Sequence, residues 1–230
     1  MSSSTIQDDV RRGFTPAIPK KDTMYRLPLT LAATVVAVSV VSAAPKFISV
    51  WKSPEAGSTS FAGKKVAALI ISNDQSLRMA GEEALARELA GKGLQSVATY
   101  KIAPKEELQV PDRAKVWFEK SNVEGVVALR PVAQEKRTTY TPGMWTTPYY
   151  SSLWGYYGYG WGNTYDFGTI DRDTVYVVET TIYGVQANKL LWAGVSETKN
   201  PKSLQQFVED LVKATVKELQ KQGFARGIAK

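Results

Sequence analysis

The run KVAALIIS over Lys65–Ser72 is the stretch that most narrows the fold. It has the length of a strand and no polar face, which suits a central strand of a parallel sheet covered on both sides. Asn73 and Asp74 then change the pattern. From Ser76 to Ala90 the apolar positions Leu77, Ala80, Ala84, Leu85 and Leu89 recur at helical spacing, with Asp74 or Ser76 as a cap and Gly91 and Gly93 as terminators. Leu94–Ile102 reads as a second strand. Asp112–Ser121 reads as a short helix begun by Pro111 that turns Val116, Trp117 and Phe118 towards the sheet, and Gly125–Arg130 as a third strand. This order implies right-handed crossovers between parallel neighbours.

The second half alternates instead. Val132, Gln134, Lys136, Thr138 and Tyr140 lie on one side of their segment, and Thr174–Tyr183 alternates as well, so the two are expected to pair as an antiparallel hairpin. Pro131 predicts a bulge where the strand changes character. Leu190–Ser196 returns as another strand, and Asn200 with Pro201 opens a final helix whose apolar face runs from Leu204 through Phe207, Val208, Leu211, Val212 and Thr215 to Leu219, ending at Gly223. Phe47–Trp51 suggests a short additional strand. The expected fold class is α/β, a mixed sheet that is parallel in its first half and antiparallel in its second, packed with about three helices. Leu69, Ile70, Leu85, Leu89, Val127, Leu129, Trp192 and Leu211 are expected to form one core cluster.

Ahead of this domain, LPLTLAATVVAVSVVSAA over Leu27–Ala44 follows Lys20, Lys21 and Arg26 and ends in small residues, the pattern of a secretory signal segment cut after Ala43. The alternative is an uncleaved N-terminal anchor helix, against which Pro28 and the hydroxyl residues Thr30, Thr34, Ser39 and Ser42 speak. The organisation read from the chain is therefore an extension plus signal peptide over 1–43, a strand and linker over 44–60, an α/β domain over 61–223 and a tail over 224–230. The expected place is the periplasm or the periphery of an outer membrane. Removing residues 1–43 takes away five basic and three acidic groups, turning the formal charge from +7 to +5, a balance that favours anionic partners in general. Export makes nucleic acid the least suitable of them.

The sequence contains no Cys and no His, which removes disulfides, thiolate nucleophiles, imidazole bases and the usual zinc ligands together. No cofactor or metal site is expected. Asp166, Asp171 and Asp173 read as solvated turn carboxylates with Arg172 among them, not as a calcium loop. Glu82, Glu83 and Glu88, with Arg78 and Arg87 on the same helix, read as a salt-linked surface.

The segment 141–173 is far longer than an ordinary connection. Trp145, Tyr149, Tyr150, Trp154, Tyr156, Tyr157, Tyr159, Trp161, Tyr165 and Phe167 crowd it, and glycines at 155, 158, 160 and 162 speak against regular structure. The first nine of these rings form the candidate contact surface, because an amphipathic ring can stack on a sugar, settle at a membrane interface or pack on a protein. The competing reading is a cap folded over its own hairpin, or a low-complexity disordered loop.

The strand KKVAALIIS, the helix GEEALARELAGKG, the strand NVEGVVALR and the closing KLLWAGVSETKNP together resemble small bacterial envelope proteins and lipoproteins. In element order they are similar to the α/β domains of the curli secretion-pore protein, the N-terminal domain of the Tol translocation protein and penicillin-binding-protein activator lipoproteins. The resemblance implies envelope scaffolding or assembly. It carries over no functional residue, and the lipidated Cys common among such proteins is absent. The expected function is an exported, non-catalytic binding or assembly module, with envelope protein, glycan or membrane surface as partner. A hydrolase of envelope polymers and a structural subunit of a homo-oligomer are the alternatives.

Overall fold

The computed structural model describes residues 44–135, 145, 147–166 and 174–225. The signal segment, the cleavage site, Lys136, Thr138, Tyr140, Phe167, Asp171 to Asp173 and residues 226–230 of the tail lie outside the described residues. In chain order the elements are β1 (Lys46–Lys52), β2 (Lys65–Ile70), α1 (Gln75–Ala90), β3 (Gln95–Ala98), α2 (Lys105–Leu108), α3 (Pro111–Lys120), β4 (Gly125–Glu135), α4 (Pro148–Ser151), α5 (Leu153–Gly162), β5 (Val175–Gly184), β6 (Lys189–Lys199) and α6 (Leu204–Lys221). Among the described residues no helix is long and apolar enough to cross a membrane.

The six strands form one sheet in the order β1-β6-β5-β4-β2-β3. β2 runs parallel to both β3 and β4, whereas β4, β5, β6 and β1 pair antiparallel, so the expected mixed sheet is present. Its two faces are both covered. α1 and α6 pack over Val66, Ala68, Ile70, Val127, Leu129 and Trp192. α3, α4 and α5 pack over Ala67, Leu69, Ile71, Val126, Ala128 and Val195. The unbroken apolar run of β2 follows directly, because each successive side chain enters the opposite layer. For the same reason Leu69 leaves the cluster expected for it: Ile70, Leu85, Leu89, Val127, Leu129, Trp192 and Leu211 share one layer, and Leu69 lies in the other.

Two elements are shorter or differently facing than their sequence suggests. The second strand stops at Ala98 and turns through Thr99–Lys101. As the outermost strand it has only β2 beside it, and the Tyr100 N–H donates to Glu82 Oε2 at 2.7 Å instead of to a strand. On α3, Phe118 is fully buried but Val116 is exposed, since three successive helical residues cannot share a face. The final helix is capped by Ser203, whose hydroxyl accepts the Gln206 N–H at 3.2 Å, and ends before Gly223 at φ +90°.

Pro131 sits inside β4 at the expected irregularity, where the pairing with β5 shifts between Pro131 and Ala133. A proline is tolerated there because β2 has already ended: the Ile71 N–H donates to the Leu129 carbonyl, and on the same side the Pro131 carbonyl accepts from Tyr165. The missing N–H faces no strand.

Candidate functional site

The aromatic segment is where expectation and structure part. Its described part, residues 147–162, is largely helical: α4 and α5 lie across the sheet face opposite α1 and α6. Leu153, Tyr156, Tyr157, Gly160 and Trp161 fall at i, i+3, i+4, i+7 and i+8, one buried stripe of a helix. Each glycine costs a helix about 1 kcal/mol relative to alanine, while burying each large ring contributes about 1.5–3 kcal/mol, so packing overrides propensity. One of these glycines is needed for the fit. A β-carbon on Gly160 would meet Ile71 Cδ1 at 2.9 Å and Arg130 Cδ at 3.4 Å, so a larger residue here requires the buried Ile71 side chain to shift.

Of the nine rings expected to form a contact surface, Trp145, Tyr150, Tyr156, Tyr157 and Trp161 are buried inside the chain's own second core layer, none more than 8% exposed. Tyr149 is 58% and Tyr165 40% exposed, and Trp154 and Tyr159 are half-buried. Tyr149 stacks on Tyr159 at 5.3 Å, and Tyr156 on Tyr183 at 5.4 Å. Burial pushes the Tyr156, Tyr157 and Tyr183 hydroxyls above the ordinary tyrosine range, so these rings stay neutral.

Beneath them lies a buried ion pair. Arg130 of β4 stands opposite Glu179 of β5, its Nε 3.2 Å from Glu179 Oε1 and its Nη2 3.1 Å from Oε2. Nη2 also donates to the Tyr150 hydroxyl at 3.1 Å, which in turn donates to Glu179 Oε2 at 2.8 Å, and Nη1 donates to the Asn163 carbonyl at 2.7 Å. The guanidinium lies 5.9 Å from the centre of the Tyr156 ring and 5.2 Å from that of Tyr159. Burial opposes its charge, but Tyr156, Glu179 and Tyr150 outweigh that and hold its pKa above the usual value. Glu179 is sealed from water and engaged by both Arg130 and Tyr150, so no polymer can reach it as an acid or base.

A second buried carboxylate corrects another expectation. Glu82 and Arg78 are not a solvated helix face but are buried, with Arg78 Nη1 3.5 Å from Glu82 Oε1. Glu82 accepts the backbone N–H groups of Ile70 and Tyr100 and so ties α1 to the end of β2 and to the turn after β3. Burial raises its pKa. Glu83 keeps the expected surface role, with Lys101 at 2.6 Å and the Tyr100 hydroxyl at 2.8 Å holding its pKa low.

In an open α/β sheet the usual ligand crevice lies beyond the carboxyl ends of the strands where the chain reverses direction, here between β2 and β4. The chain fills that place itself. Thr164 donates its hydroxyl to the Ile71 carbonyl at 2.7 Å, the Tyr165 N–H donates to Pro131, and Asn73 Nδ2 donates to Asp166 at 3.4 Å. Among the described residues no group of three His, Asp or Glu could hold a metal ion.

The opposite end of the sheet is open. There, where β4 begins and β5 turns into β6, a groove of about 620 Å³ runs between α3, the start of α5 and the β5–β6 turn. Val123 and Val185 form its apolar base, and Trp154 lines it from α5, its ring held 5.9 Å from Phe118 and 5.8 Å from Tyr157. Ser152 caps this helix by accepting the Gly155 N–H at 3.2 Å. Asn188 Oδ1 accepts the backbone N–H of Trp154 at 3.2 Å, which leaves its amide hydrogens for another partner. Asn122 follows α3 at φ 54° and Asn188 sits in the turn at φ 48°, left-handed positions that asparagine tolerates and that bring two amides to one concavity, with Gln186 between them.

Sequence reasoning selected Trp154 but missed Asn122, Gln186 and Asn188. Turn chemistry marks both asparagines locally. Nothing in the sequence says that residues 122, 154 and 188 converge.

No family model and no curated protein matches the chain. Among solved structures it is similar to the PelC dodecamer from Paraburkholderia phytofirmans, at 13% identity and a TM-score of 0.41, covering 79% of this chain and 99% of that one. A point variant of the same protein gives 14% identity and a TM-score of 0.41 over 76% of this chain and 98% of that one.

Proposed function

We propose that the chain is an exported, non-catalytic envelope binding module that meets its partner through the groove at Trp154. The observation that carries this reading is the groove itself: a concavity with an oriented indole and two amides, those of Asn122 and Gln186, whose polar atoms are left for a partner. The side chains of Asn122 and Gln186 make no hydrogen bond among the described residues. Export is supported by the basic, apolar and small-residue order of residues 20–43. A binding role is favoured over hydrolysis because the buried carboxylates Glu82 and Glu179 are occupied by backbone, arginine or tyrosine partners and closed to solvent.

Co-sedimentation of the purified full-length chain with isolated cell envelopes tests the reading. The double variant Asn122→Gly, Gln186→Ala keeps the left-handed backbone and touches only exposed side chains, so its melting temperature should be unchanged while its envelope association falls about tenfold. Undiminished association would overturn the assignment of the groove.

A further inference from the structure

The geometry points to a neutral glycan as the occupant of the Trp154 groove, an assignment of ligand class that rests on the groove being the contact surface. Three features of the groove select it. The first is a flat, half-buried ring whose orientation is fixed by Phe118 and Tyr157, so that it is presented without a further loss of side-chain freedom. The carbon-bound hydrogens on one face of a pyranose are apolar and can lie on such a ring, while its hydroxyls point outward around the rim. The second is the rim itself. Asn122 and Gln186 each offer a planar amide that donates and accepts, which matches a hydroxyl that does both, and Asn188 adds its amide hydrogens.

The third is balanced charge. Lys115 and Glu119 on α3 offset each other, and Glu124 is paired with Lys64 at 3.2 Å. A phosphate-bearing headgroup or a polyanion would require an excess of basic groups or a row of backbone N–H donors, and the groove has neither. A folded protein partner would require a broader apolar patch than Trp154, Val123 and Val185 supply. The groove's volume of about 620 Å³ falls in the range of ligand clefts, about 300–1,000 Å³, which is room for a few sugar units.

The test is titration of the full-length chain with neutral hexasaccharides built from glucose, mannose and N-acetylglucosamine, with polygalacturonate and anionic phospholipid vesicles as counterparts. The indole N–H resonances are followed by NMR. The expected result is saturable binding of at least one neutral hexasaccharide that shifts the Trp154 signal and is weakened about tenfold by Asn122→Gly with Gln186→Ala. Because Trp154→Ala also removes a packed ring, the two amide substitutions carry the test. Binding of polygalacturonate or vesicles in place of the neutral sugars would overturn the proposal, as would no binding to any neutral member. If the sugars fail but envelope co-sedimentation still depends on Asn122 and Gln186, the ligand class is wrong and the groove stands. If co-sedimentation is also independent of them, the binding site itself is wrong.

Discussion

Arg130 is a buried guanidinium, 3% exposed, whose Nε and Nη2 hydrogens go to Glu179 and Tyr150 and whose Nη1 donates to the Asn163 carbonyl. Such a pair is no stability gain over apolar residues of equal volume, but losing one partner leaves the other charge stranded. Arg130→Met is therefore expected to destabilise the domain by about 3–5 kcal/mol in urea unfolding. Adding Glu179→Leu should recover most of that loss, and a single-variant cost near zero would mean that water reaches the pair. Neither residue was legible as buried from sequence. In a strand covered on both faces the alternation that separates inside from outside is lost, and a charged residue then carries no sign of which layer it enters. The same applies to Arg78 and Glu82, which the helical charge pattern places on a surface and the structure places beneath β2 and the turn after β3.

At the scale of elements, local rules located most boundaries and failed on the aromatic segment. Helix α1 came from its spacing and terminators, β2 from its unbroken apolarity, and the shift in β4 from Pro131. The helix α5 was hidden because four glycines in ten residues argue against a helix, although the stripe Leu153, Tyr156, Tyr157, Gly160, Trp161 was present all along. The glycines have different reasons, and substitution separates them. Gly160→Ala places a methyl against Ile71 and Arg130 and should cost about 1–3 kcal/mol. Gly162→Ala has open space around it and should stabilise by about 0.5–1 kcal/mol through helix propensity. Thermal or urea unfolding of the two single variants checks the pair. A stabilised Gly160→Ala would mean that α5 does not lie against the sheet as described.

At the scale of the molecule, the aromatic helices complete a three-layer sandwich and their chain continuation closes the crevice between β2 and β4. The Trp154 groove lies at the other end of the sheet. The division of the sheet into a parallel and an antiparallel half was readable from the sequence, because it follows from patterns within single elements. The groove was not, because it joins α3, α5 and the β5–β6 turn, which only the tertiary fold brings together. A competing contact surface exists on β1, an edge strand that exposes Ile48 and Val50. Photo-crosslinking in intact cells, with a benzophenone side chain at Gln186 in one strain and at Val50 in another, tests the central claim most directly. The account predicts an adduct with envelope material from position 186 and none from position 50; capture from position 50 alone would contradict it and move the contact to the sheet edge.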